Sequence, residues 1–305
     1  MLLIINNWIH PKNKEGIENV LSYLNIEYTY GSENNIDDDK YKIIYNPCTA
    51  IDINKYKNKF FIFGPHFSVF PDEKLNLINF KSNNHIYIMP SQWTIETWHN
   101  IKSNIEIDIK VFPFPVNTIK FNEIKKDRDN VMIYYKGRNQ KELDFVVNFL
   151  KNRKINYTIF SYNNKYNEED FINYLHNCRY VIIIDRHESQ GFAIEEIMAC
   201  NVPLLVWNVK YMSQEFGYNY PDYPATSIPY WDNSCGECFY EETELEEKFT
   251  VFINNLDNYK PRQFILDNLS VEKCALRFKE LINNKCIEPF KYQMSYFGDL
   301  VSLFV

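Results

Sequence analysis

At 305 residues, with 45% hydrophobic and 24% charged side chains, the chain has an ordinary globular composition and the length of about two domains. A net charge of -7 with no basic stripe argues against nucleic acid as a partner and against electrostatic docking on anionic membranes. No apolar run reaches the roughly 18 residues a membrane span needs, and seven cysteines at irregular spacing point to a reducing, cytoplasmic compartment.

Asn, Ile, Lys and Tyr are abundant while Ala and Gly are scarce. That reads as A/T-rich coding, from a low-GC bacterium or a large DNA virus, and the cytoplasm would then be the host's. The 23 Tyr and 23 Phe are enough to fill two cores.

The chain opens on an apolar strand, Leu2–Ile5, without the basic flank or long apolar stretch of a signal peptide. Ile43–Tyr45, Phe60–Phe63 and Ile86–Met89 are further continuous apolar strands of the kind buried on both faces. Lys14–Leu24 and Trp93–Ile101 have helical spacing, and Val111–Phe114 closes this half. The charged stretch Asn122–Asn130 has no apolar period and reads as a linker. The second half alternates strands at Val131–Tyr135, Tyr157–Phe160, Tyr180–Asp185 and Pro203–Trp207 with helices at Lys141–Leu150, Glu168–Cys178 and Phe192–Cys200. Helical patterns return at Thr243–Leu256 and Val271–Ile282, and Phe290–Val305 is aromatic and apolar. The fold class is α/β, with parallel sheets covered by helices. Such sheets bind ligands beyond the carboxyl ends of their strands, which directs attention to Lys136-Gly137-Arg138, Ser161-Tyr162 and Arg186–Gly191.

The segment from His187 to Cys200 follows a strand and opens a helix. Gly191 lets a ligand approach the backbone, and the free amides near Ser189, Gln190, Gly191 and Phe192 suit a phosphate. Glu188 precedes the helix and Glu196 lies about one turn inside it, so both can face one cleft, one toward a sugar and one toward a ribose. A carboxylate accepts two hydroxyl donors at once, which suits a vicinal diol.

This segment resembles the signature of retaining GT-B glycosyltransferases of the glycosyltransferase family 4 kind. There two Glu residues with seven between them run into an Ala-Met-Ala-Cys-Gly-x-Pro-like sequence. Here Glu188 and Glu196 have that spacing, and Ile197-Met198-Ala199-Cys200-Asn201-Val202-Pro203 continues it. Asn201 replaces the usual Gly, and Asp185-Arg186-His187 stands where Pro-Ser is common. The resemblance covers roughly residues 80–210. It implies a GT-B fold of two facing Rossmann-like domains: an acceptor domain at 1–121, a nucleotide-sugar-binding domain at 122–286 and a segment at 287–305 that crosses back. It also implies a diphosphate neutralised by protein cations rather than a metal, with Arg138 matching the family's Arg and either Lys136 or Lys141 its Lys. His66, after the strand at Phe60–Phe63, is the candidate for the family's N-domain His near the donor sugar. Asn7 and His10 occupy a loop that often contacts acceptor or phosphate. Ser91 either matches the Ser that ends the last N-domain strand or is a helix cap.

Other signals carry less. Cys235-Gly236-Glu237-Cys238 has no second pair to complete a zinc site, and Asp127-Arg128-Asp129 falls in the linker. No dinucleotide, P-loop or zinc-protease motif is present. The expectation is a cytoplasmic glycosyltransferase of glycan biosynthesis that needs no cofactor. It would transfer sugar from a UDP-, GDP- or TDP-linked donor to a glycan, glycoprotein or glycolipid acceptor, with retention and without metal. A GT-B sugar-nucleotide epimerase and a non-catalytic nucleotide- or glycan-binding protein are the alternatives.

Overall fold

Short, wholly apolar runs leave no face for water, so they become strands covered on both sides. The computed structural model describes residues 1–5, 8–67, 69–71, 84–102, 105, 107–124, 127–164 and 166–283, and in it these runs build two sheets. The first holds β1 (Leu2–Ile5), β2 (Tyr28–Gly31), β3 (Ile43–Asn46), β4 (Phe60–Phe63), β5 (His85–Met89) and β6 (Ile109–Val111), in the order β2-β1-β3-β4-β5-β6. The second holds β7 (Asn130–Lys136), β8 (Thr158–Ser161), β9 (Cys178–Asp185), β10 (Leu204–Trp207) and β11 (Gly236–Phe239), in the order β11-β10-β9-β7-β8. Every pairing within the two sheets is parallel.

Alternate side chains enter opposite cores. Leu3 and Ile5 pack with Phe61 and Trp98, whereas Leu2 and Ile4 pack with Ile17, Val20 and Phe112. In the second sheet Met132 and Tyr134 face one cluster, and Val131, Ile133 and Tyr135 face the other. Eight α-helices are described: α1 (Pro11–Tyr23), α2 (Gln92–Ile101), α3 (Gln140–Asn152), α4 (Glu168–Leu175), α5 (Phe192–Ala199), α6 (Leu245–Asn254), α7 (Pro261–Asn268) and α8 (Val271–Ile282). None is long and apolar enough to cross a membrane.

Several expectations shift. The last strand of the first half lies at Ile109–Val111, not Val111–Phe114; Phe112 and Phe114 are instead buried loop residues. Strands β2 and β11 and helix α7 are additions to the expected elements. The segment 287–305, expected to cross back, lies outside the described residues. A crossing occurs earlier than expected: Cys274, Ala275, Phe278 and Leu281 of α8 are buried in the core of the first domain, beside Leu2, Ile4 and Ile17. Asn201 has φ of 56°, the left-handed conformation common just past a helix end. Asn tolerates that region better than other side-chain-bearing residues, so it stands in for Gly without losing the turn.

In each sheet the strand order reverses beside the first strand, between β1 and β3 and between β7 and β9. That is where an open parallel sheet leaves a crevice. Lys136 and Asp185, the last residues of β7 and β9, are register partners at the second of these points.

Candidate functional site

A cleft of about 770 Å³ separates the two domains and is lined from both sides. Its wall on the second domain is made by the ends of β7 and β9 and the loop into α5. Gly137 has φ of 60°, and a Cβ there would lie 2.8 Å from Arg186 Cδ, so only glycine lets the two loops touch. Gly191, with φ of 87°, turns the chain into α5 and leaves the first amides of the helix without a capping side chain.

Glu188 is anchored through its backbone from both domains. Its N–H donates to Thr226 O at 3.0 Å, and its carbonyl accepts from Trp93 Nε1 of α2 at 3.0 Å. Its carboxylate pairs with Lys136 and lies 3.7 Å from Arg186 Nη2. Burial would raise its pKa, but Lys136 and Arg186 outweigh burial and hold it below the ordinary glutamate value. Burial likewise opposes the Lys136 ammonium, and Glu188 and Asp185 more than restore it. The pair is therefore ionised.

Glu196 lies on the first turns of α5, mostly buried, with Lys12 Nζ of α1 at 2.5 Å. Lys12 also pairs with Glu168 of α4. Burial pushes the Glu196 carboxyl up to about 7 although Lys12 opposes the shift. Asp185 is fully enclosed, and its carboxyl is held well above the usual range by burial and by Glu188. Arg186 Nε bonds Glu215 Oε1 at 3.2 Å, which brings a further carboxylate to the cleft.

The opposite wall is different. His66 Nε2 lies 2.9 Å from the Asn13 amide nitrogen, and the Trp8 ring meets the imidazole edge-on at 4.8 Å. Burial, helped by His10, pushes His66 down to about 4, so it is neutral at pH 7. With the amide donating, its proton sits on Nδ1. His10 stacks on Phe192 at 5.9 Å, and burial followed by Lys12 and Lys136 lowers its pKa.

Of the expected site residues, Glu188, Glu196, Lys136, His66, His10, Ser189, Gln190, Gly191 and Phe192 line this one cleft. Arg138 does not, and the expectation that it holds a diphosphate is corrected. Its side chain is 1% exposed and stacks over Trp207. Nε donates to Glu142 at 3.0 Å, Nη2 pairs with Glu142, and Nη1 donates to the carbonyls of Asp185 and Trp207 at 3.2 Å each. Glu142 closes the capping box of α3 and draws the guanidinium beneath the rim. Lys141 is exposed in the first turn of α3, away from the cleft. Ser91 is fully buried at the start of α2, with its hydroxyl beside Thr94 Oγ1. Gln190 reaches the cleft, but its amide is engaged elsewhere. Oε1 accepts from Phe114 N–H at 3.0 Å, and Nε2 donates to Phe114 O and to Glu195. It ties the domains together rather than waiting for a ligand. Asn7 lies outside the described residues.

The sequence reading gave no role to Arg186, Lys12, Asp185 or Glu215. Arg186 was within the post-strand segment singled out for attention. Lys12 and Glu215 are far from the motif in sequence, and only folding brings them to it. Among the described residues no cluster of His, Cys, Asp or Glu is suited to a metal ion, and both Cys235 and Cys238 are free thiols.

No protein-family model and no curated protein matches the sequence. Solved structures match the shape. A glycosyltransferase from Rickettsia africae ESF-5 aligns with a TM-score of 0.59 at 13% identity, over 93% of this chain and 97% of that one. The lipopolysaccharide outer core galactosyltransferase WaaB, in its apo form, aligns with a TM-score of 0.53 at 12% identity, over 93% and 99%. A variant of S. aureus TarM, solved with fondaparinux, alpha-GlcNAc-glycerol and UDP, aligns with a TM-score of 0.53 at 16% identity, over 87% of this chain and 58% of that one. At such identities the likeness establishes architecture: the chain has the GT-B fold, two facing Rossmann-like α/β domains.

Proposed function

We propose that the chain is a glycosyltransferase of the family 4 kind, working in the cytoplasm. It moves a hexose-type sugar from a nucleoside diphosphate to a hydroxyl acceptor, with retention of configuration and without a metal. One observation carries this reading. Glu188 and Glu196, on either side of the α5 N-terminus, line the same interdomain cleft, and each faces a lysine.

In this reading Glu196 accepts the ribose hydroxyls and Glu188 those of the sugar. The diphosphate lies against the open α5 N-terminus, with Lys136 as the lysine and Arg186 in the role first expected of Arg138. As the bond from the sugar C1 to the phosphate oxygen breaks, negative charge grows on the leaving group, and these fixed positive groups stabilise it. The acceptor oxygen bonds to C1 on the same face, and its proton passes to the leaving phosphate. No protein base is then needed.

UDP is the first nucleotide to try, since the S. aureus TarM structure holds it. Thermal-shift titration with UDP, GDP, TDP and CMP should show one nucleoside diphosphate raising the melting temperature. Glu196→Gln should abolish the increment. Turnover with the matching nucleotide sugar should persist in EDTA. If none of the four stabilises the wild-type protein, the donor site is misassigned; isomerisation of the nucleotide sugar without acceptor would identify an epimerase instead.

A further inference from the structure

Large apolar side chains cost free energy when left in water, so those held exposed on a cleft wall invite explanation. Trp8 is 56% exposed and Tyr218 is 60% exposed, and both line the interdomain cleft. Trp8 follows β1 on the first domain, and Tyr218 lies in the loop between β10 and β11 on the second.

Both rings are held in place. Trp8 rests edge-on against His66, which Asn13 fixes in turn. Tyr218 lies parallel to Tyr220 with centroids 5.5 Å apart and planes 8° from parallel. Tyr220 is braced by His187 at 5.5 Å and by Phe70 of the first domain at 5.9 Å. Rigid aromatic faces presented to solvent bind flat apolar surfaces at low entropic cost.

The polar groups nearby narrow the ligand. Among the described residues that the first domain contributes to the cleft, Lys12 is the one that is formally charged, and it is committed to Glu196 and Glu168. His10 offers a neutral imidazole able to donate and accept a hydrogen bond, and His66, whose Nε2 already accepts from Asn13, keeps Nδ1–H as a donor. Among the described residues of this wall an acceptor's phosphate or carboxylate meets no uncommitted cation. An alkyl chain wants a continuous apolar trough, and this wall is interrupted by His10, Asn13 and His66. A pyranose satisfies both demands, with C–H groups on its face and hydroxyls at its edge.

We propose that the mouth of the cleft is a saccharide subsite, in which Trp8 and Tyr218 stack on the ring faces of an uncharged sugar acceptor. This rests on the transferase reading and names the chemical class of its second substrate.

The test uses the full chain and two readouts. Maltotriose, cellotriose and chitotriose are titrated while tryptophan fluorescence is followed, with no nucleotide present. The same sugars are then supplied as acceptors, and release of nucleoside diphosphate is measured. At least one trisaccharide should change the fluorescence and accelerate release. Trp8→Ala and Tyr218→Ala should each raise the KM for that sugar about five- to tenfold while the KM for the donor holds. Trp8→Phe should recover most of the loss, which separates stacking from a folding defect. Equal effects of Trp8→Ala on both KM values would overturn the subsite. So would acceleration by an alkyl alcohol or a serine peptide while all three sugars stay silent in both readouts. Failure of the donor reading would appear separately, as absence of any nucleotide-induced thermal shift.

Discussion

The two walls of the cleft differ in kind. On the second domain Lys136, Arg186, Glu188 and Glu215 are joined in ion pairs at the rim, and Glu196 beside them pairs across the cleft with Lys12. On the first domain the described part of the wall is neutral imidazole, amide and indole, with Lys12 its one charged residue. A charged wall costs desolvation and repays it only when a ligand of matching charge develops or releases charge there. A neutral wall recognises shape and hydroxyls. In the proposed reading this contrast places the donor on one side and the acceptor on the other.

The largest effect that could break this division is expected at Glu188. Glu188→Gln keeps the shape and removes the charge, and steady-state turnover should fall on the order of 100-fold, about 3 kcal/mol of transition-state stabilisation. Normal turnover would remove the charged wall from the chemistry. Next come two arginines with different signatures. Arg138→Ala strands Glu142 and two carbonyls and should cost about 3 kcal/mol of stability in urea unfolding, while folded molecules keep their nucleotide affinity. Arg186→Ala should weaken nucleoside diphosphate binding about tenfold by calorimetry, beside whatever stability is lost by leaving Glu215 without its cation. Interchanged phenotypes would restore Arg138 to the site.

A smaller effect follows from Glu196. Its folded pKa, about 7, stands above the usual glutamate value of 4.5. Its contribution to stability is therefore present below the unfolded pKa and is lost as pH rises from about 4.5 through about 7. If Glu196 accepts the ribose hydroxyls as proposed, binding uses its ionised form, so nucleotide affinity should rise between pH 6 and pH 8 as unliganded stability declines. In Glu196→Gln this part of both trends should vanish; a wild-type affinity flat across that range would refute the ribose contact. The smallest effect belongs to the neutral wall. His66→Asn should raise the acceptor KM a few-fold and leave the nucleotide Kd alone, since a neutral imidazole contributes about one hydrogen bond. A large loss of nucleotide affinity would show that the first domain also holds the donor.

Most of the sheet framework was legible because β1, β3, β4 and β5 are continuous apolar runs and β9 ends one. Tyr28–Gly31 is only partly buried along an edge, and Gly236–Phe239 is short and begins with glycine, so neither carries a readable strand pattern. The Glu pair was legible since both residues sit on one turn and one helix, where spacing in sequence is spacing in space. Arg138 misled for the opposite reason. An arginine just after a strand reads as a ligand for the rim, but Glu142 four residues on competes for it, and only packing decides between them. Lys12 reaches Glu196 from 184 positions away in the chain, a distance no local pattern spans.

The placement of α8 bears on how the molecule is made. The core between β1 and α1 is completed by Cys274, Ala275, Phe278 and Leu281, which leave the ribosome long after the strands they cover. The domain synthesised first therefore keeps part of an apolar sheet face uncovered until α8 emerges, just after α6 and α7, which complete the cores of the second. Neither half can finish its core until the last described helices have been made, so the amino-terminal domain has no head start and the closing helix completes the half that began the chain's synthesis.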